Sequence, residues 1–115
     1  MPAIKLRICR EEYKVIYHAC REAHDTNEAR PMRPHMSIEA VLLAEWNRRV
    51  ERQQFTWHDR QPTRDYAYAL PTSTALALQH VLLLVCPNGA GQTLILKLDQ
   101  ALVNLGYDYY PNQNQ

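Results

Sequence analysis

The chain has 115 residues, 46% of them apolar and 22% charged, with a formal net charge of +1. That length suits a single domain over residues 1–115, and so even a charge balance supplies no overall field to draw the protein onto nucleic acid or an anionic membrane. The only glycines are Gly89, Gly91 and Gly106, a scarcity that favours helices over a sandwich with many tight turns.

Ile4-Lys5-Leu6-Arg7-Ile8 alternates apolar and charged residues, the period of a short half-buried strand. From Arg10 the period changes. Tyr13, Ile16, Tyr17, Cys20 and Ala23 recur at helical spacing, and Glu11 and Glu12 occupy the first turn, where the helix dipole favours acids. The spacing predicts a helix over residues 10–24. Pro31 and Pro34 then bracket a connector.

Ser37 has the chemistry of an N-cap. After it, Ile38, Val41, Leu42 and Trp46 form one apolar stripe, widened by Leu43 and Val50. Glu45 and Arg49 stand four apart in the favourable order for an ion pair. This predicts a second helix over residues 37–53. Residues 55–70 read as a long polar loop whose Trp57, Tyr66 and Tyr68 fold back onto the helices.

A third helix is predicted over residues 73–85, started by Thr72 or Ser73. It is apolar nearly all round, so it belongs at the centre of the fold or against a second chain. A fourth is predicted over residues 92–105 from Leu94, Leu98, Ala101, Leu102 and Leu105, with Gly106 at the position after the C-cap. Residues 111–115 read as a frayed tail. The expected fold is therefore mainly α, a compact four-helix arrangement with a short N-terminal strand. The competing reading is α+β. Asn88-Gly89 between two apolar runs is a hairpin signal, and residues 4–8, 81–86 and 93–98 could form a small sheet. The Ala and Leu content of those runs favours helix.

Cys9, Cys20 and Cys86 are odd in number and widely spaced, so no disulfide framework follows. The first residues contain no long apolar segment of the kind a signal peptide needs. The apolar run ending at Cys86 is too short to span a membrane. The expected setting is the reducing cytoplasm.

Three patterns invite chemical readings. Cys86-Pro-Asn-Gly-Ala-Gly-Gln-Thr93 resembles the phosphate-binding loop of transporter-type ATPases, but Cys86 stands where that loop has its first glycine and Gln92 where it has its lysine. The segment therefore reads as a connector. Cys20 and His24 share a helix face and could begin a zinc site, yet no second close pair of ligands accompanies them. His58-Asp59 and Glu11-Glu12 suggest acid–base work, but no nucleophile elbow is present. No residue is assigned as catalytic or metal-binding, and no cofactor is expected.

Two surfaces remain. The middle of the chain holds seven arginines against four acids. Arg48, Arg49, Arg52, Arg60 and Arg64 could meet phosphates while Trp57 stacks on a base. Tyrosines suit interfaces because they are apolar and hydrogen-bonding at once, which marks Tyr66, Tyr68, Tyr107, Tyr109 and Tyr110. The leading expectation is a non-catalytic protein–protein interaction module that self-associates into a homo-oligomer. The alternatives are an accessory nucleic-acid-binding protein that uses residues 30–64, and a small enzyme or metal protein whose site forms only in three dimensions.

Overall fold

The computed structural model describes residues 3–29, 37–85 and 88–106, and the side chains of all of these except 27–29. In chain order the elements are β1 (Ala3–Ile8), α1 (Arg10–Ala29), α2 (Ile38–His58), β2 (Tyr66–Pro71), α3 (Thr72–Val85) and α4 (Ala90–Asn104). Four helices dominate, and the two strands pair into a small antiparallel ribbon.

The strand at the start forms where its alternation predicts. Its partner, however, is β2, drawn from the segment that reads as a loop. The register sets Ile4 against Leu70, Leu6 against Tyr68 and Ile8 against Tyr66. Side chains alternate across a strand, so these six point inward, while Lys5, Arg7, Ala67 and Ala69 face outward and are exposed. Both strands are sheet edges. The outward Lys5 and Arg7, with Pro71 at the ribbon's end, discourage pairing with further strands.

Among the described residues, the competing sheet over 81–86 and 93–98 is not formed. Residues 81–85 continue α3, and 93–98 lie inside α4. Gly89 does take a positive φ of 57°, but it starts a helix instead of turning a hairpin. Thr93 N–H donates to the Gly89 carbonyl at 3.1 Å, and the Ala- and Leu-rich runs on either side follow their helical preference.

Helix ends depart from their expected positions by a few residues. Ser37 caps α2 as its chemistry predicts, its Oγ accepting from Ala40 N–H at 3.2 Å. Yet α2 runs one turn beyond residue 53 to His58, because Trp57 has a buried place to occupy. Helix α1 continues past residue 24 to Ala29. Gly106 follows the C-cap residue Leu105 with φ 97°, the left-handed geometry that favours glycine there.

Helix α3 packs against all three other helices and both strands. Ala75 and Leu78 are fully buried, and Leu82 nearly so. Around it lie Ile16 and Cys20 of α1, Leu43 and Val50 of α2, and Leu94, Leu98 and Leu102 of α4. The centrality expected of the third helix holds for its first three turns. Its last turn breaks the pattern, since Leu83, Leu84 and Val85 are exposed.

Candidate functional site

The side chains picked out by sequence divide into three groups. Trp57 and Tyr68 belong to the core. Trp57 is 3% exposed and stacks on Tyr13, with ring centroids 4.9 Å apart and planes within 2° of parallel. Tyr68 and Tyr66 meet the same indole edge-on. The Arg60 guanidinium also sits over the Trp57 ring, at 4.4 Å, and over Tyr66 at 4.5 Å. With its ring covered this way, Trp57 offers no open face for a base, and Arg60 is engaged between two aromatic rings instead of facing a phosphate. Tyr68 is no interface residue. Its hydroxyl accepts from Trp46 Nε1 at 3.1 Å and donates to Gln53 Oε1 at 2.9 Å, and burial pushes its pKa up. Tyr66 is half-buried, accepting from Gln61 N–H, with Arg64 above its ring at 5.8 Å. Tyr107, Tyr109 and Tyr110 lie outside the described residues, as do Cys86 and residues 111–115.

The second group is the open basic face. Arg48, Arg49 and Arg52 are all exposed on α2 and lie on adjoining positions of its surface. The predicted Glu45–Arg49 pair is absent. Arg49 lies over the Trp46 ring at 5.1 Å instead, and Glu51 pairs with Arg21 of α1 at 2.9 Å. Among the described residues no carboxylate pairs with any of the three arginines.

The third group is an ion cluster that ties together four distant parts of the chain. Glu12 is 2% exposed and stands three residues after Cys9, which precedes α1. Its Oε1 accepts from the Cys9 backbone N–H at 2.9 Å, half of a capping box. The same oxygen accepts from Lys97 Nζ of α4 at 2.7 Å, and Oε2 accepts from the Thr93 hydroxyl at 2.6 Å. Lys97 also donates to the Arg7 carbonyl at 2.8 Å and lies 3.5 Å from Asp65. Burial alone would raise the Glu12 pKa, but the bonds from Lys97, Thr93 and Cys9 together hold it below the usual carboxylate value. Burial likewise opposes the charge on Lys97, and Glu12 and Asp65 outweigh it, raising the ammonium pKa.

Cys9, Glu12 and Asp65 are the one group of donors among the described residues gathered closely enough to hold a metal ion. Lys97 already supplies the positive charge there, bonded to Glu12 and beside Asp65. Cys20, the proposed start of a zinc site, is fully buried, and burial pushes its thiol pKa up to about 12. Neither it nor His24 belongs to that group. Thr93, which ends the segment resembling a phosphate loop, spends its hydroxyl proton on Glu12.

The surface that sequence reasoning missed is apolar. Helices α2 and α3 enclose a shallow groove bordered by Ile38, Leu42, Leu76 and Leu83, with Glu39 and His80 3.6 Å apart across it. Ile38 is 70% exposed, Leu83 55% and Leu84 71%, and Val41 stands exposed beside them. On α3, residues 76, 80, 83 and 84 share one side, as do 38, 41 and 42 on α2. The signal was present in the all-round apolar character of residues 73–85, but only the packing shows which of these side chains are exposed. No helix among the described residues is long and apolar enough to cross a membrane. In comparison with known proteins, no family model matches this chain, and no curated protein or solved structure resembles it significantly.

Proposed function

We propose that this protein is a non-catalytic interaction module that pairs with a second copy of itself through the apolar face of α2 and α3. The observation that carries the reading is the groove lined by exposed Ile38 and Leu83, with Val41 of α2 and Leu84 of α3 also exposed on the same helices. Single exposed apolar residues are ordinary; a contiguous patch on a small domain marks a contact surface. Two features favour a second copy as the occupant. The groove's acid, Glu39, already faces His80 at 3.6 Å within the chain, so a two-fold contact sets no bare carboxylate against its twin. The chain's net charge of +1 imposes little repulsion between copies.

Light scattering coupled to size exclusion tests this at micromolar concentration. The expected mass is twice that of the chain, and Leu84→Glu and Ile38→Glu, both at exposed positions, become monomers with unchanged circular dichroism. A monomeric parent, or a Leu84→Glu variant that still dimerises, contradicts the reading.

A second reading, nucleic-acid binding, is favoured by Arg48, Arg49 and Arg52 on α2, exposed and without a carboxylate partner among the described residues. Phosphate contacts make binding fall steeply with salt. Joint replacement of Arg48, Arg49 and Arg52 by alanine is then expected to abolish retention on single-stranded DNA at low salt. Equal retention of parent and triple variant removes this reading.

A further inference from the structure

On the side formed by α1 and the end of α2 lies a second groove, of about 400 Å³, the scale of small-ligand sites. Tyr13, Tyr17 and Trp57 contribute its aromatic lining, and Phe55 stands beside them 75% exposed. Its rim is basic. Arg10, Lys14 and His18 recur every four residues along α1, and His58 faces them from α2. Among the described residues none of its lining side chains is acidic.

The basic groups are only partly engaged. Arg10 Nη1 donates to the His58 carbonyl at 3.2 Å, which fixes the guanidinium at the end of α2. Its Nε is buried, so an incoming anion meets the terminal nitrogens of the guanidinium. Lys14 meets Glu11 at 3.4 Å, with both side chains about half exposed, an ion pair of little strength that an incoming anion can displace.

We infer that this groove binds a small aromatic oxyanion: a planar ring against Phe55 and Tyr17, and a carboxylate or phosphate between Arg10 and Lys14. The ring covers the exposed phenyl, and apolar burial drives its docking. The oxyanion accepts from the guanidinium, which suits planar carboxylates and phosphates. A neutral ring lacks the second contact, and a bare anion lacks the first. This site is separate from the α2–α3 face, so its test does not depend on self-association.

Titration with 2-naphthoate and 2-naphthyl phosphate, followed by heat release and amide chemical shifts, tests the inference. Both probes are expected to bind with micromolar affinity, at least tenfold more tightly than 2-naphthol or inorganic phosphate, and to shift the amides of residues 10–18 and 54–58. Lys14→Glu and Phe55→Ala alter exposed side chains and leave the fold intact; each is expected to weaken binding tenfold or more, whereas Arg52→Ala leaves it unchanged. No binding at millimolar probe overturns the proposal. So does equal binding of 2-naphthol, affinity unaffected by Lys14→Glu, or shifts confined to residues 38–42 and 76–84.

Discussion

Replacing Lys97 by methionine removes an ammonium that bonds Glu12 at 2.7 Å and the Arg7 carbonyl at 2.8 Å, while keeping most of the side chain's bulk. Glu12 is left as a buried carboxylate with Thr93 and Cys9 N–H as its remaining donors. Breaking a fully buried pair costs about 3–5 kcal/mol. The Lys97 side chain is 32% exposed, so water can reach part of the vacated space, which places the expected loss near 2–3 kcal/mol. For a domain of this size that lowers the melting temperature by roughly 10 °C. Urea unfolding with linear extrapolation measures it. Glu12→Leu in the same background should cost less than the two single losses added together, because removing both charges leaves no orphaned ion. A Lys97→Met protein within about 0.5 kcal/mol of the parent, the scale of an ordinary surface change, refutes the claim that this cluster fastens β1, α1, α4 and the segment before β2 together.

The same pair sets a pH window. Glu12 has a lowered folded pKa, so its contribution is present above the unfolded carboxylate value of about 4.3 and is lost as pH falls through the folded one. Lys97 has a raised folded pKa, so its contribution is complete below about 10.4 and fades only as pH rises beyond the folded value. Unfolding curves across pH should show a plateau between these limits, with an acid slope that Glu12→Gln reduces. Leu82→Asp puts an unpaired charge beside the centre of α3 and is expected to unfold the chain; a cooperative melt from that variant contradicts the position of α3. Gln79 Oε1 is buried without a partner, and its Nε2 reaches Asp99 only at 3.5 Å. Gln79→Met is therefore expected to be neutral or stabilising in the same unfolding assay, and a loss above about 1.5 kcal/mol would reveal a stronger hydrogen bond than the geometry shows. In native protein at pH 8, peptide mapping after alkylation should find Cys20 unmodified until denaturant is added, because it is fully buried and its thiol pKa is near 12; rapid native labelling of Cys20 would contradict that burial.

The helices were legible because each carries a local pattern. Ile16 and Cys20, Leu43 and Val50, and Leu94 and Leu98 show their period in the sequence, and Ser37 and Gly106 mark ends with residues that have a specific backbone role. Strand β2 was also written in the chain, as Tyr66, Tyr68 and Leu70 on alternate positions. It was obscured because Ala67 and Ala69 carry no polar contrast and Pro71 reads as a breaker. The hairpin signal at Asn88-Gly89 misled for the opposite reason: positive φ at Gly89 serves a helix start as readily as a turn. The capping box of Cys9 and Glu12 was hidden because a cysteine stands where serine or threonine usually marks it. Lys97 lies 85 residues from Glu12, and no local pattern announces a pairing at that separation. Composition alone did not show that Tyr68 and Trp57 would be buried. An aromatic residue suits an interface or a core equally, and Tyr68 finds partners for its hydroxyl inside the fold. The exposed face of α2 and α3 was half legible, since an all-round apolar helix signals surplus surface without saying which side keeps it.

The most direct test of self-association is an isotope-filtered NOE spectrum of an equimolar mixture of carbon-13-labelled and unlabelled protein. Contacts between molecules are expected at the methyl groups of Ile38, Val41, Leu83 and Leu84. A spectrum without intermolecular contacts, or with contacts confined to Leu96 and Val103, which are exposed on α4, would contradict self-association through α2 and α3.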